Sequence, residues 1–111
     1  MFFQIVLEYG EGTEDDRSRH LQAHVDYLKD NIGIILAAGG LLNDEGDRAQ
    51  GALYVVEAES RAKAEEFINA DPFVIAGVVK TISITRWRRS FFNFEHIGGP
   101  GFVGATPGMA R

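Results

Sequence analysis

The sequence predicts an α+β domain in which one antiparallel sheet carries two helices on the same face. Three observations lead there. Four stretches read as strands, two stretches carry helical spacing, and their order along the chain is β-α-β-β-α-β. That order suits the ferredoxin-like arrangement.

The first strand is "FFQIVLEY", residues 2 to 9, with Phe3, Ile5, Leu7 and Tyr9 on one face. Phe2 and Val6 add apolar surface to the other face, beside Gln4 and Glu8. Gly10 and Gly12 close the strand and Thr13 stands as an N-cap. Glu14, Asp15 and Asp16 then occupy a first helical turn, where the helix dipole favours negative charge. Leu21, Val25, Leu28 and Ile32 recur at helical spacing and form the expected core stripe, ended near Gly33.

"IILAAGGLLN" reads as a short strand that breaks at Gly39-Gly40, and "NDEGD", residues 43 to 47, as a polar turn. "GALYVVEA", residues 51 to 58, is the most strand-like run after the first. Ser60 opens a second helix that turns Ala64, Phe67 and Ile68 inward. Asp71-Pro72 ends it, because a residue before proline is pushed out of the helical region. "VVKTISITRW", residues 78 to 87, makes the last strand. The domain is expected over 1–90. A tail over 91–111 follows, first rich in Phe (Phe91, Phe92, Phe94) and then in Gly and Pro, without a core of its own.

Composition excludes several classes of function. The 111 residues suffice for one domain, and an apolar share of 45% builds one core. A chain this short leaves much surface uncovered, which self-association can complete. A net charge of −5 opposes nucleic-acid binding, and the absence of cysteine removes disulfides, thiolate metal sites and cysteine nucleophiles. "MFFQIVLEYGEG" lacks a basic leader and meets Glu8 early, so neither a signal peptide nor a membrane span is expected and the location defaults to cytoplasmic. The half-apolar open face of the sheet, with Phe2, Val6 and alternate residues of "LYVV", calls for a second copy of the chain as homodimer partner.

His20 and His24 lie one turn apart on one face of the first helix, next to Tyr27 and Asn31. His24 belongs at the edge of the buried stripe, where a histidine can act as general acid or base. Asp71 can supply a carboxylate if the two helices run side by side. Alternatively, Asp71 is turn chemistry and the histidines are surface residues. Two histidines at this spacing can also share a metal, but "HLQAH" lacks the glutamate of the zinc-protease pattern, and no metal is expected. "AAGG" and "GGPG" do not have phosphate-loop spacing, and "RWRRS" reads as a solvated strand end.

"HLQAHVDYLKDN", "ILAAGGLLND", "GALYVVEAESRAKAEEFINADPFVIAGVV" and "ISITRW", in that order, resemble the YCII-related (YciI-like) domain family from about residue 2 to 88. The resemblance implies a ferredoxin-like fold of the dimeric α/β-barrel type, in which two sheets face each other. It also implies a His-Asp pair, by position His24 and Asp71, and cofactor-free chemistry. His20 stands where the family often has arginine, and Gly39-Gly40 where it often has Gly-Pro. The expected activity is a cofactor-independent lyase or isomerase acting on a small cyclic or aromatic-derived compound. His24 and Asp71 are its expected catalytic residues, and His20, Tyr27 and Phe73 the substrate neighbours. The alternative is a non-catalytic small-ligand-binding or accessory dimerisation domain.

Overall fold

The computed structural model describes residues 1–98. The chain runs through β1 (Phe2–Tyr9), α1 (Glu14–Asp30), a 3-10 turn (Ile32–Ile34), β2 (Ile35–Leu42) and β3 (Ala49–Glu57). It continues through α2 (Arg61–Asn69), the one-turn α3 (Pro72–Ile75), β4 (Val79–Trp87) and a small hairpin of β5 (Phe91–Phe92) and β6 (Glu95–His96). The four long strands form one sheet in the order β2-β3-β1-β4, and every pairing is antiparallel. This is the α+β architecture that the element order predicts.

Register decides which side chains share a face. Phe3, Ile5 and Leu7 lie opposite Val56, Tyr54 and Ala52, and together with Ala64, Phe67 and Ile68 of α2 they make the core. Tyr27 and Leu28 of α1 and Val74 of α3 pack against this cluster, so the helices cover one face. Ile5, Leu7, Val56 and Ile68 are fully buried, each contributing about 1.5–3 kcal/mol relative to an exposed side chain. Gly51 sits where β3 presses on β1: a Cβ there would collide with the Leu7 carbonyl oxygen.

The other face holds Phe2, Val6, Leu53 and Val55 in register, flanked by Trp87 of β4 and by Ala37 and Leu41 of β2. Phe2 and Trp87 meet edge to face at 6.0 Å. Among the described residues, no helix covers that surface, as the alternation of β1 predicts.

Several local expectations need correction. β2 passes through Gly39-Gly40 without a break, because both glycines keep their ladder partners Leu53 and Ala52 on β3. The core stripe of α1 is rotated from the expected one. Leu21 is 52% exposed, Ile32 lies beyond the helix at 71%, and the single buried residue of α1 is His24. Thr13 occupies the N-cap position of α1, as expected, but its hydroxyl caps no backbone N–H; it donates to the Gly10 carbonyl and accepts from the Arg17 side chain. The Phe-rich stretch forms a hairpin that was not expected, turning at Asn93 and Phe94, both with positive φ. The Gly/Pro-rich stretch lies largely outside the described residues. Among the described residues, no helix is long and apolar enough to cross a membrane.

Candidate active site

The segment "DPFVIAG" carries a complete set of instructions for one helical turn. Asp71 takes an extended conformation (φ −65°, ψ 131°) and its carboxylate accepts the Phe73 N–H, so it is the N-cap of α3. Pro72 occupies the first helical position, where its missing N–H is no loss. Gly77, at φ 78°, ends the turn: its N–H reaches the Val74 carbonyl and the next N–H, of Val78, reaches that of Phe73. That is a Schellman closure, and the left-handed residue in it favours glycine. A four-residue helix has little stability of its own. These caps are what hold Asp71 at a defined place and angle.

Asp71 is completely buried, and a buried carboxylate must be satisfied. Besides the Phe73 N–H at 2.8 Å, it takes the imidazole Nδ1 of His24 at 2.9 and 3.0 Å to its two oxygens and the Tyr54 hydroxyl at 3.4 Å. His24 reaches it from α1, 47 positions away in sequence. The Phe73 ring lies flat on the imidazole, with centroids 4.0 Å apart and planes within 5°. One short helix thus supplies both the acid that binds the histidine edge and the ring that fixes its plane.

The pairing also selects the tautomer. A carboxylate only accepts, so Nδ1 carries the hydrogen and the neutral ring keeps its lone pair on Nε2. Nε2 takes part in neither hydrogen bond to Asp71, and no fully buried side-chain nitrogen or oxygen among the described residues lacks a partner. Nε2 is therefore not fully buried. The arrangement presents a fixed base whose conjugate acid would be balanced by the charge beside it.

Three tyrosines ring the pair. Burial, then the Asp71 charge, pushes the Tyr54 hydroxyl far above the ordinary tyrosine range, and the Tyr9 and Tyr27 hydroxyls are raised mainly by burial. All three are neutral donors in the folded chain, whereas unfolded tyrosines ionise near pH 10. Their contribution to stability is therefore complete below about pH 10 and is lost as pH rises towards the folded values. Thermal midpoints should be flat from pH 7 to 9 and fall above 10, and Tyr54→Phe should make that fall shallower. An unchanged alkaline slope in the variant would count against this coupling.

A groove of about 770 Å³ opens at the end of β1. Val6, Tyr9, Arg17, Leu41, Arg48 and Thr81 are among its walls; His24 and Asp71 are not. Tyr9, in the groove wall, meets Phe73 edge to face at 5.9 Å, and Phe73 stacks on the imidazole.

Of the residues expected to flank a substrate, none lines the groove. His20 is half-buried one turn before His24. Tyr27 donates to the Phe67 carbonyl at 2.7 Å and stacks on the Phe67 ring, and Phe73 is 3% exposed beneath the imidazole. Tyr54, Tyr9 and Arg17 were missed. Tyr54 carried a usable signal: strand alternation places it on the buried face between Ala52 and Val56, and a buried tyrosine needs a polar partner for its hydroxyl. Among the described residues, no three His, Cys, Asp or Glu side chains gather where they could hold a metal ion.

Comparison with known proteins adds to this geometry. The YCII-related domain matches residues 1–88. A solved structure of 5-chloro-2-hydroxyhydroquinone dehydrochlorinase from Burkholderia phenoliruptrix AC1100, in complex with 2,5-dihydroxybenzoquinone, is similar at 27% identity and a TM-score of 0.73. The match covers 79% of this chain and 94% of that one. A protein from Agrobacterium tumefaciens matches at 16% identity and a TM-score of 0.44, over 80% of this chain and 95% of the other. No curated protein matches.

Proposed function

The chain belongs to the YCII-related domain family, and from that premise we propose that it is a cofactor-independent lyase or isomerase acting on a small cyclic or aromatic-derived compound. The observation that carries this reading is the buried His24–Asp71 pair, which leaves Nε2 outside both hydrogen bonds. Nε2 removes a proton from a hydroxyl or an acidic carbon of the substrate. The electron pair left behind then either expels an anion from a neighbouring carbon or returns to a proton at another position. Asp71 holds the tautomer and balances the imidazolium, and His20, Tyr27 and Phe73 shape the surroundings of the ring. The likeness to a dehydrochlorinase supports the lyase form.

The test is chemical. Hydroxylated chlorobenzenes and quinones should lose chloride, or exchange a ring hydrogen with deuterated solvent, in the presence of the protein and not without it. A second reading, a non-catalytic small-ligand binder, is favoured by one observation: the groove stops at Tyr9, short of the imidazole. Tight binding of these compounds with neither exchange nor chloride release would select it.

The open sheet face supports a homodimer. Phe2, Val6, Leu53 and Trp87 make an apolar surface that water would otherwise cover. Sedimentation at micromolar concentration should give twice the chain mass, and Leu53→Lys should give the monomer. A monomeric wild type would dismiss the sheet face as the interface.

A further inference from the structure

A carboxylate needs more than one fixed point to hold a histidine edge. The torsion that turns the Asp71 carboxylate about its stem is broad and two-fold, so the rotamer alone does not set it. The cap bond from the Phe73 N–H, at 2.8 Å, fixes Oδ1 only. Yet His24 Nδ1 stands almost midway between the two oxygens, 2.9 Å from Oδ1 and 3.0 Å from Oδ2. That symmetry lasts only while Oδ2 is kept from swinging about Oδ1. Among the described residues, the donor that reaches Oδ2 besides Nδ1 is the Tyr54 hydroxyl, at 3.4 Å.

Tyr54 is placed to do this and little else. It stands on β3 between Ile5 of β1 and Ala38 of β2, and it is 1% exposed. Its ring meets Phe67 nearly at right angles, with centroids 6.3 Å apart. A tyrosine locked in the middle of a sheet does not follow a carboxylate that moves. Burial and the Asp71 charge keep its hydroxyl protonated, and that hydroxyl has no second hydrogen bond among the described residues. A donor on Oδ2 also alters what the carboxylate does to the ring. Charge drawn by Tyr54 is withdrawn from Nδ1–H, so an imidazolium formed at His24 is gripped less tightly. A base that must return its proton before the next turnover works best under a moderate grip.

We propose that Tyr54 is a positioning residue of the acid–base pair: its hydroxyl squares the Asp71 carboxylate to His24 and takes a share of its charge, so that the imidazole both accepts a proton and releases it. This rests on the acid–base reading of His24 and extends it by a third side chain. The other ionisable groups around the pair are Tyr9 on β1 with Arg17 of α1 over its ring, His20 and Tyr27 on α1, and Glu66 on α2, whose charge reaches Tyr27. None of these donates to Asp71, and Tyr27 is committed to the Phe67 carbonyl.

The experiment is proton and nitrogen NMR of the full chain with labelled histidine, which reads His24 Nδ1–H directly and needs no substrate. Tyr54→Phe keeps the ring and its packing but removes one donor from Asp71, so the Nδ1–H resonance should move downfield. A ring-fluorinated tyrosine at position 54, a stronger donor, should move it upfield. Tyr27→Phe removes a hydroxyl that bonds elsewhere and should leave it in place. In turnover, the acid limb of kcat/KM for Tyr54→Phe should rise by about half a pH unit to one unit, with KM little changed. A resonance that stays or moves upfield in Tyr54→Phe would overturn the proposal, as would an equal movement in Tyr27→Phe or an order that does not follow donor strength. Lower melting with none of these changes would make Tyr54 a packing residue whose hydroxyl merely found a partner. Because the NMR readout does not depend on chemistry, the two readings fail separately. A resonance that moves as expected in a protein without turnover removes the catalytic reading alone. Turnover with an unmoved resonance and an unmoved acid limb removes the role of Tyr54 alone.

Discussion

His24→Gln is expected to lower kcat/KM by on the order of 10²- to 10⁴-fold, the usual worth of a positioned general base, while the domain stays folded. Glutamine is the informative replacement. It is close to histidine in length, and its amide can donate to Asp71, so the buried carboxylate is not left alone. Alanine would remove the base but would also strand Asp71, which is completely buried, and so mix a folding defect into the kinetics. A His24→Gln protein with wild-type melting and undiminished turnover would mean that the imidazole is only a structural plug beneath α1. Loss of turnover with unchanged ligand affinity is the outcome that places the chemistry on Nε2.

Asp71 should show the largest effect on stability. Asp71→Ala removes the N-cap of α3, the acceptor of His24 Nδ1 and the acceptor of the Tyr54 hydroxyl together. Breaking a buried pair in this way destabilises by about 3–5 kcal/mol, because the groups left behind are buried and unsatisfied. Urea unfolding measures it, and a loss below about 1 kcal/mol would be at odds with a buried pair of this kind. Asp71→Asn separates the two duties. Its amide oxygen can still cap Phe73 from the Oδ1 position, which also faces Nδ1 at 2.9 Å, while its amide hydrogens in the Oδ2 position face Nδ1 at 3.0 Å and favour the tautomer in which Nδ1 accepts. In that tautomer the proton sits on Nε2 and the base is lost; in the other, the neutral amide no longer balances the imidazolium. Turnover should drop by up to about 10⁴-fold, as it does when the aspartate of a serine-protease triad becomes asparagine. Melting should change far less than for alanine. If Asn and Ala lowered turnover and stability in the same proportion, the tautomer argument would fail.

How far these residues were legible in the sequence depends on the range of the interaction concerned. The alternation of "FFQIVLEY" identified both faces of β1, and the register of β1 with β3 put Phe2, Val6, Leu53 and Val55 together on the open one. The Asp-Pro pair marked the end of α2, but the one-turn helix after it went unread. Its cap signals, Asp71, Pro72 and Gly77, are all present in "DPFVIAG", within a run apolar enough to pass for the start of a strand. Arg17 was passed over because a lone arginine in a first helical turn looks like surface. Only its seat over Tyr9 distinguishes it from Arg19, which pairs with Asp16 in the usual way.

By itself the sequence determined what is decided over a few residues: the order of strands and helices, the faces of β1 and β3, and the turn that presents Asp71. Each depends on side-chain periodicity or on caps that act within one turn. Only the tertiary structure decided the rotation of α1. Its apolar residues allow a core face through Leu21 and Ile32 or one through His24, Tyr27 and Leu28, and local propensity does not distinguish them. The fold takes the second, and Leu21 is left exposed. The physical reason lies 47 positions further along the chain, where a completely buried carboxylate needs a donor and the His24 imidazole is the side chain of α1 that reaches it.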